Sequence, residues 1–112
     1  MLDAQPNISP LTILDRHGAE VAALCARHHV ARLEVFGSAV AGGFDAERSD
    51  YDFLVEFAPG TDLGPWLSEY FALKEELEKL LGRPVDLVQS KAPTSEHFWR
   101  EANASRRLVY AA

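Results

Sequence analysis

Apolar residues recur along the chain with two different periods, and the changes of period mark out its elements. From Pro10 onward Leu11, Leu14, Gly18, Val21, Leu24, Cys25 and His28 fall at steps of three or four, the spacing of a helix with one covered face. Ser9-Pro10 ahead of them is a helix start, since a serine hydroxyl caps free amides and proline fits the first helical position. The pattern predicts one helix over residues 10–29, with Gly18 costing about 1 kcal/mol relative to alanine. Over Ala31–Phe36 the period shortens to two, the mark of a strand, and the run enters Gly37-Ser38. Ala39 to Ala41 suits a short helical turn, and residues 42–49 read as a loop by composition.

Tyr51–Phe57 is the clearest strand, with Tyr51, Phe53, Val55 and Phe57 on one face and Asp50, Asp52, Leu54 and Glu56 on the other. After Pro59-Gly60, the positions Leu63, Trp66, Leu67, Tyr70, Phe71, Leu73, Leu77, Leu80 and Leu81 outline a long amphipathic helix closed by Gly82. Lys74, Glu75, Glu76, Glu78 and Lys79 form its outer face. Residues 84–88 predict a third strand, Thr94 or Ser95 caps a last helix to about Ala104, and Leu108–Tyr110 suits an edge strand. Helix, strand, strand, helix, strand, helix is the order of an α/β (α+β) fold in which helices pack on a small mixed sheet.

With 112 residues, 47% of them apolar, one modest core and a single domain spanning residues 1–112 are expected. Seventeen acidic against eleven basic residues leave a net charge of −6, which argues against a surface built to grip DNA directly. A nucleotide stays compatible with that balance, because a metal can carry its negative charge. The lone Cys25 makes no internal disulfide, residues 1–15 do not read as a secretory signal, and no apolar run is long enough for a membrane span. A cytoplasmic location without membrane contact is therefore expected.

Asp50 and Asp52, two apart on a strand, project from one face about 6–7 Å apart. Paired carboxylates repel unless solvent or a cation compensates, and hard oxygen donors of this kind suit magnesium. Asp86, alone between Val85 and Leu87, completes a three-carboxylate cluster if its strand lies beside the first. Taken alone, such an acidic pair is commonly a solvated strand edge, and Gly37-Ser38 a plain turn. Their combination is more specific, since a glycine lets backbone approach a ligand, its neighbouring amides form an anion nest, and the serine hydroxyl donates to phosphate oxygen.

A strand ending in Phe36-Gly37-Ser38, a glycine-containing loop, Ser49-Asp50-Tyr51-Asp52 opening an apolar strand, and the later Asp86 resemble the polymerase-β-like nucleotidyltransferase superfamily. More narrowly, the chain resembles the minimal nucleotidyltransferase (MNT) proteins, paired with HEPN partners in toxin–antitoxin modules. The resemblance covers about residues 10–110. It implies that Gly37 and Ser38 hold the triphosphate of ATP, that Asp50 and Asp52 ligate two Mg2+ ions, and that Asp86 shares a metal or takes the proton of the attacking hydroxyl. It further implies an antitoxin that transfers AMP to a hydroxyl, a tyrosine, of a HEPN RNase toxin, alone or within a homo- or hetero-oligomer. Two departures stand out: Ala41 occupies the place of a customary arginine, and eleven residues separate Ser38 from Asp50 where ten are usual, Gly43 being the extra one. The missing arginine implies weakened activity, with Arg48 a candidate substitute. A non-catalytic antitoxin that works by binding, and a small-molecule nucleotidyltransferase, are the alternative readings.

Other residues receive plainer readings. His28-His29 and His17 are expected to end or flank the first helix rather than bind metal, Cys25 to be a small buried residue, and Tyr51 to pack in the core. Glu56 shares the face of Asp50 and Asp52 but lies further along the strand, outside the metal site. Trp66, Tyr70 and Phe71 are expected in the core, with docking of a partner as the minority reading, and Phe98 and Trp99 share that ambiguity. Arg100, Arg106 and Arg107 read as a solvated basic face.

Overall fold

The structure, a computed structural model, describes residues 9–41, 50–90 and 95–112. Its elements run α1 (Pro10–Arg16), α2 (Gly18–Arg27), β1 (Val30–Phe36), α3 (Ser38–Ala41), β2 (Tyr51–Phe57), a 3-10 turn (Pro65–Leu67), α4 (Ser68–Leu81), β3 (Val85–Gln89), α5 (Glu96–Ser105) and β4 (Arg107–Ala111). The strands form one sheet in the order β3-β2-β1-β4. Strand β2 runs parallel to β3 and antiparallel to β1, and β4 closes the far edge antiparallel to β1. The mixed sheet and the edge strand near residues 108–110 are as the sequence predicts. Among the described residues no helix is long and apolar enough to cross a membrane.

One face of the sheet carries the main core. Leu33, Val35, Tyr51, Phe53, Val55, Val85 and Leu87 meet Leu14, Val21, Leu24 and Cys25 of α1 and α2 and Leu73, Leu77 and Leu81 of α4. The opposite face holds a smaller cluster of Phe36, Leu54 and Ala102, with Val88, Phe98 and Trp99 against it. Helix α5 thus covers the face that bears the acids, while the other four helices pack on the opposite face, α3 through Ala39. Cys25 is fully buried, and burial pushes its thiol up to about 12, so it packs and stays inert.

The predicted helix over 10–29 is two helices. At His17 the backbone leaves the helical region (φ −103°, ψ 16°): its N–H turns back to the carbonyls of Ile13 and Leu14, and its own carbonyl starts α2 by accepting from Val21 at 2.8 Å. A break of one residue barely disturbs the 3.6 period, which is why the stripe reads as continuous. Ser9 caps α1 at Leu11, and α2 ends at Arg27 with His28 as its C-cap, as expected for a histidine closing the helix.

The long helix predicted from Leu63 begins only at Ser68. Gly64 sits at φ +79°, and Trp66 and Leu67 both take left-handed backbone at φ 56°. Proline disfavours the helical conformation in the residue before it, so Gly64-Pro65 interrupts the run. The aromatic stripe is correspondingly split: Tyr70 is half-buried, whereas Trp66 is 93% exposed and Phe71 49%. A core role for Trp66 and Phe71 is therefore corrected. At the far end α4 closes on Gly82 in left-handed conformation, its N–H donating to the Glu78 carbonyl, as the sequence indicates.

Arg106 is also corrected. Its guanidinium reaches Glu34, a carboxylate only 7% exposed on β1, from Nε at 3.2 Å and from Nη2, which makes it an anchor of β1 although its side chain stays partly exposed.

Candidate active site

Three elements end at one corner of the sheet. β1 runs out at Phe36 into Gly37, β2 begins at Tyr51 directly after Asp50, and β3 begins at Val85. Because β2 and β3 are parallel, Asp52 and Asp86 are direct partners in the register, on strands about 4.8 Å apart. Phe36 is the partner of Asp52 on the other side. Alternation along β2 places Asp50 on the side of Asp52, and the same alternation sends Tyr51 into the core, where its hydroxyl donates to the Pro10 carbonyl at 3.1 Å.

The acids differ in setting. Asp50 and Asp86 are exposed, while Asp52 is half-buried between the neighbouring strands. Burial first, then the charges of Asp86 and Asp50, push its carboxyl up to about 6. All three influences act in the same direction, against ionisation of Asp52. Among the described residues no three His, Cys, Asp or Glu side chains form a closed metal-ligand set, so Asp50 and Asp86 flank Asp52 without being drawn together around it. The donor chemistry nonetheless fits magnesium, because hard carboxylate oxygens on paired strands meet an unfavourable accumulation of negative charge that a divalent cation relieves. Glu56 lies at the far end of β2, paired with Arg32, and is outside this cluster as expected.

Gly37 is pressed onto the same group. Its backbone is at φ +77°, and a Cβ placed there would lie 2.6 Å from Asp52 Oδ2. Only glycine lets this turn come down on the carboxylate. Its amide does not face outward as an anion nest requires: the N–H donates to the hydroxyl of Ser105 at 2.8 Å. That leaves Ser38, which opens α3, as the part of the turn available to a ligand. Ala41 ends α3, and Gly43, Arg48 and Ser49 lie outside the described residues.

On the outer edge of β3, side chains at i, i+4 and i+8 of α4 run beside Asp86. The Tyr70 hydroxyl donates to the Leu87 carbonyl, Glu78 Oε2 accepts from Val85 N–H at 3.0 Å, and Lys74 between them donates to Glu78 at 2.8 Å. Lys74 and Glu78 hold each other ionised, the amine shifted up and the carboxyl down chiefly by their shared hydrogen bond. By sequence Lys74 and Glu78 belong to the outer, solvated face of the helix, and no pattern singles out Ser105. The i, i+4, i+8 spacing of Tyr70, Lys74 and Glu78 was the available signal; Ser105, 68 residues from Gly37, offered none.

Comparison with known proteins shows the family and the fold. The profile of the nucleotidyltransferase domain family matches residues 21–111. Two chains of Methanocaldococcus jannaschii, each named "putative protein adenylyltransferase", are 42% identical over 66 and 62 residues, or 59% and 55% of this chain and 63% and 61% of theirs. The chain thus spans about three fifths of the length of these relatives. A structure described as a "putative minimal nucleotidyltransferase" aligns at TM-score 0.69 and 32% identity over 92% of this chain and 98% of that one. A toxin–antitoxin crystal structure with AMP-PNP shares the fold at TM-score 0.63 and 20% identity, over 85% and 73%. So does a complex of tri-AMPylated Shewanella oneidensis HEPN toxin with MNT antitoxin, at TM-score 0.60 and 18% identity, over 88% and 73%.

Proposed function

Because the chain belongs to the nucleotidyltransferase domain family and has the minimal nucleotidyltransferase fold, we propose that it transfers AMP from ATP to a hydroxyl of a HEPN toxin, a tyrosine, and so acts as the antitoxin. The observation that carries this reading is the pairing of Asp52 with Asp86 across parallel strands under a glycine turn that only glycine can make. In the transfer the hydroxyl oxygen forms a bond to the α-phosphorus, the bond to the bridging oxygen breaks, and pyrophosphate leaves.

Gly37 and Ser38 orient the triphosphate, with the Ser38 hydroxyl donating to a phosphate oxygen. Asp50 and Asp52 hold two magnesium ions, which supply charge neutralisation at the phosphates when bound. Asp86, exposed at the start of β3, stands where an incoming hydroxyl has access and accepts its proton or shares a metal. Residues 1–112 act as a single domain in the cytoplasm, with no direct contact to DNA.

The test is intact mass of the chain and its partner HEPN protein after incubation with ATP and magnesium. One or more AMP units on the partner, absent with Asp52→Asn, supports the reading; no gain of mass on a bound partner overturns it. Ala41 in place of an arginine favours the second reading, neutralisation by binding alone. In that case toxin neutralisation survives Asp50→Asn and Asp52→Asn without transfer.

A further inference from the structure

We propose that Ser105, at the end of α5, is a positioning residue of the nucleotide site, its hydroxyl fixing the Gly37-Ser38 turn in the conformation that seats it on Asp52. The inference rests on the nucleotide reading above and adds a residue from the opposite end of the chain to it.

Three contacts, from Glu34 and Phe36 of β1 and from Gly37 just after it, hold that strand end against α5 and the residue that follows it. Glu34 takes the Arg106 guanidinium, Phe36 meets Phe98 edge-to-face with ring centroids 5.6 Å apart, and Gly37 N–H donates to Ser105 Oγ at 2.8 Å. The first two fix where α5 lies relative to β1. With α5 held, Ser105 presents a stationary acceptor to the most permissive residue of the site.

Glycine's own preferences do not keep it at φ +77°, since glycine populates both signs of φ with similar ease; on its carbonyl side the turn is tied by the Val40 N–H, which donates to the Gly37 carbonyl at 3.0 Å, and on its amide side by Ser105. The turn has almost no slack either, because Asp52 Oδ2 already occupies the space beside the Gly37 Cα. A rotation of the Gly37 peptide therefore moves the Ser38 hydroxyl and disturbs the Asp52 carboxylate together. By satisfying the Gly37 N–H, Ser105 opposes that rotation and leaves Ser38 aimed at the ligand. The hydroxyl acts through the turn and touches neither nucleotide nor metal.

The experiment compares wild type, Ser105→Ala and Ser105→Thr by hydrogen exchange at the Gly37 amide, by MgATP titration, and by the ATP dependence of AMP transfer. Ser105→Ala is expected to speed Gly37 exchange and weaken MgATP binding, each by about tenfold, the worth of one lost hydrogen bond. KM for ATP rises more than kcat falls, and Ser105→Thr, which keeps the hydroxyl, restores both. A purely structural serine would lower the melting midpoint while leaving MgATP affinity unchanged, and that result overturns the proposal. Tighter MgATP binding in Ser105→Ala also overturns it, since Ser105 would then be masking a donor. A wild-type chain that binds no MgATP overturns the nucleotide reading itself, whereas unchanged Gly37 exchange in a chain that binds MgATP overturns only the role of Ser105.

Discussion

Gly37 and Asp52 are in such close contact that the space a Gly37 side chain would need is held by the Asp52 carboxylate, 2.6 Å from the position of a Cβ. The left-handed backbone of Gly37 adds about 1–2 kcal/mol of strain for any other residue. Gly37→Ala is therefore expected to cost about 2 kcal/mol in urea unfolding, some of the clash being relieved by rotation of the carboxylate, and to abolish AMP transfer. Wild-type transfer by a folded Gly37→Ala chain would show that the turn does not position Asp52.

Asp52 is expected to show opposite effects on stability and activity. Its folded pKa, about 6, is above the ordinary carboxylate value, so in the absence of divalent metal the folded state binds this proton more tightly than the unfolded chain does. Stability contributed by the protonated group is then gained as pH falls from about 7 toward 4. At pH 7 without metal, Asp52→Asn is expected to raise stability by up to about 1 kcal/mol, reduced for a half-exposed group, while eliminating transfer. Magnesium should raise the melting midpoint of the wild type and leave that of Asp52→Asn nearly unmoved.

The strands were legible because their chemistry is local. Tyr51, Phe53 and Val55 alternate with Asp52 and Leu54, and this alone separates a core face from an acid face. Pairing of Asp52 with Asp86 required only that the two strands be neighbours, which a helical crossover between them makes natural. Contacts that depend on distant segments left no periodic trace. The Ser105 hydroxyl on Gly37 and the Arg106 grip on Glu34 follow from where α5 and β4 return to the sheet. Breaks were hidden for a different reason: His17 interrupts a helix by a single residue, and Trp66 and Leu67 keep helical spacing while adopting left-handed backbone.

The Glu34–Arg106 pair ties stability to acid pH. Hydrogen bonding from Arg106 is the main influence holding the Glu34 carboxyl below its ordinary value, with Arg32 assisting. A depressed carboxyl contributes stability that is complete above its unfolded pKa, near 4.5, and is lost as pH falls through the lower folded value. Arg106→Ala leaves a buried carboxylate without its main partner and is expected to cost about 2 kcal/mol at pH 7, below the range for fully buried pairs because Arg106 is a third exposed. Its acid unfolding curve should also be flatter than that of the wild type below about pH 4.5. Parallel curves would assign the acid sensitivity to other groups.

Trp66 presents the reverse case, a large side chain whose removal from the free chain should cost nothing. At 93% exposure it contributes little burial, and its backbone is in the left-handed region at φ 56°. Trp66→Gly relieves strain of about 1–2 kcal/mol, partly offset by the greater freedom glycine gives the unfolded chain. The expected outcome is unchanged or slightly higher stability in denaturant titration. A loss of more than about 1 kcal/mol would mean that the indole packs against the protein in solution.

The outer edge of β3 is closed by side chains rather than by another strand, and this carries the last prediction. Edge strands with free backbone groups are templates for pairing with further chains. Here Glu78 takes the Val85 N–H and Tyr70 donates to the Leu87 carbonyl, so alternate outward groups of the strand are already engaged. Either Glu78→Ala or Tyr70→Phe should cost about 1 kcal/mol, the net worth of one hydrogen bond. The double variant exposes both groups, the Leu87 carbonyl beside the apolar side chains of Leu67 and Phe71, so its distinctive effect is on association rather than folding. Light scattering is expected to show concentration-dependent self-association for the double variant at concentrations where the wild type and both single variants scatter equally. A double variant that remains as dispersed as the wild type would show that neither side chain protects this edge.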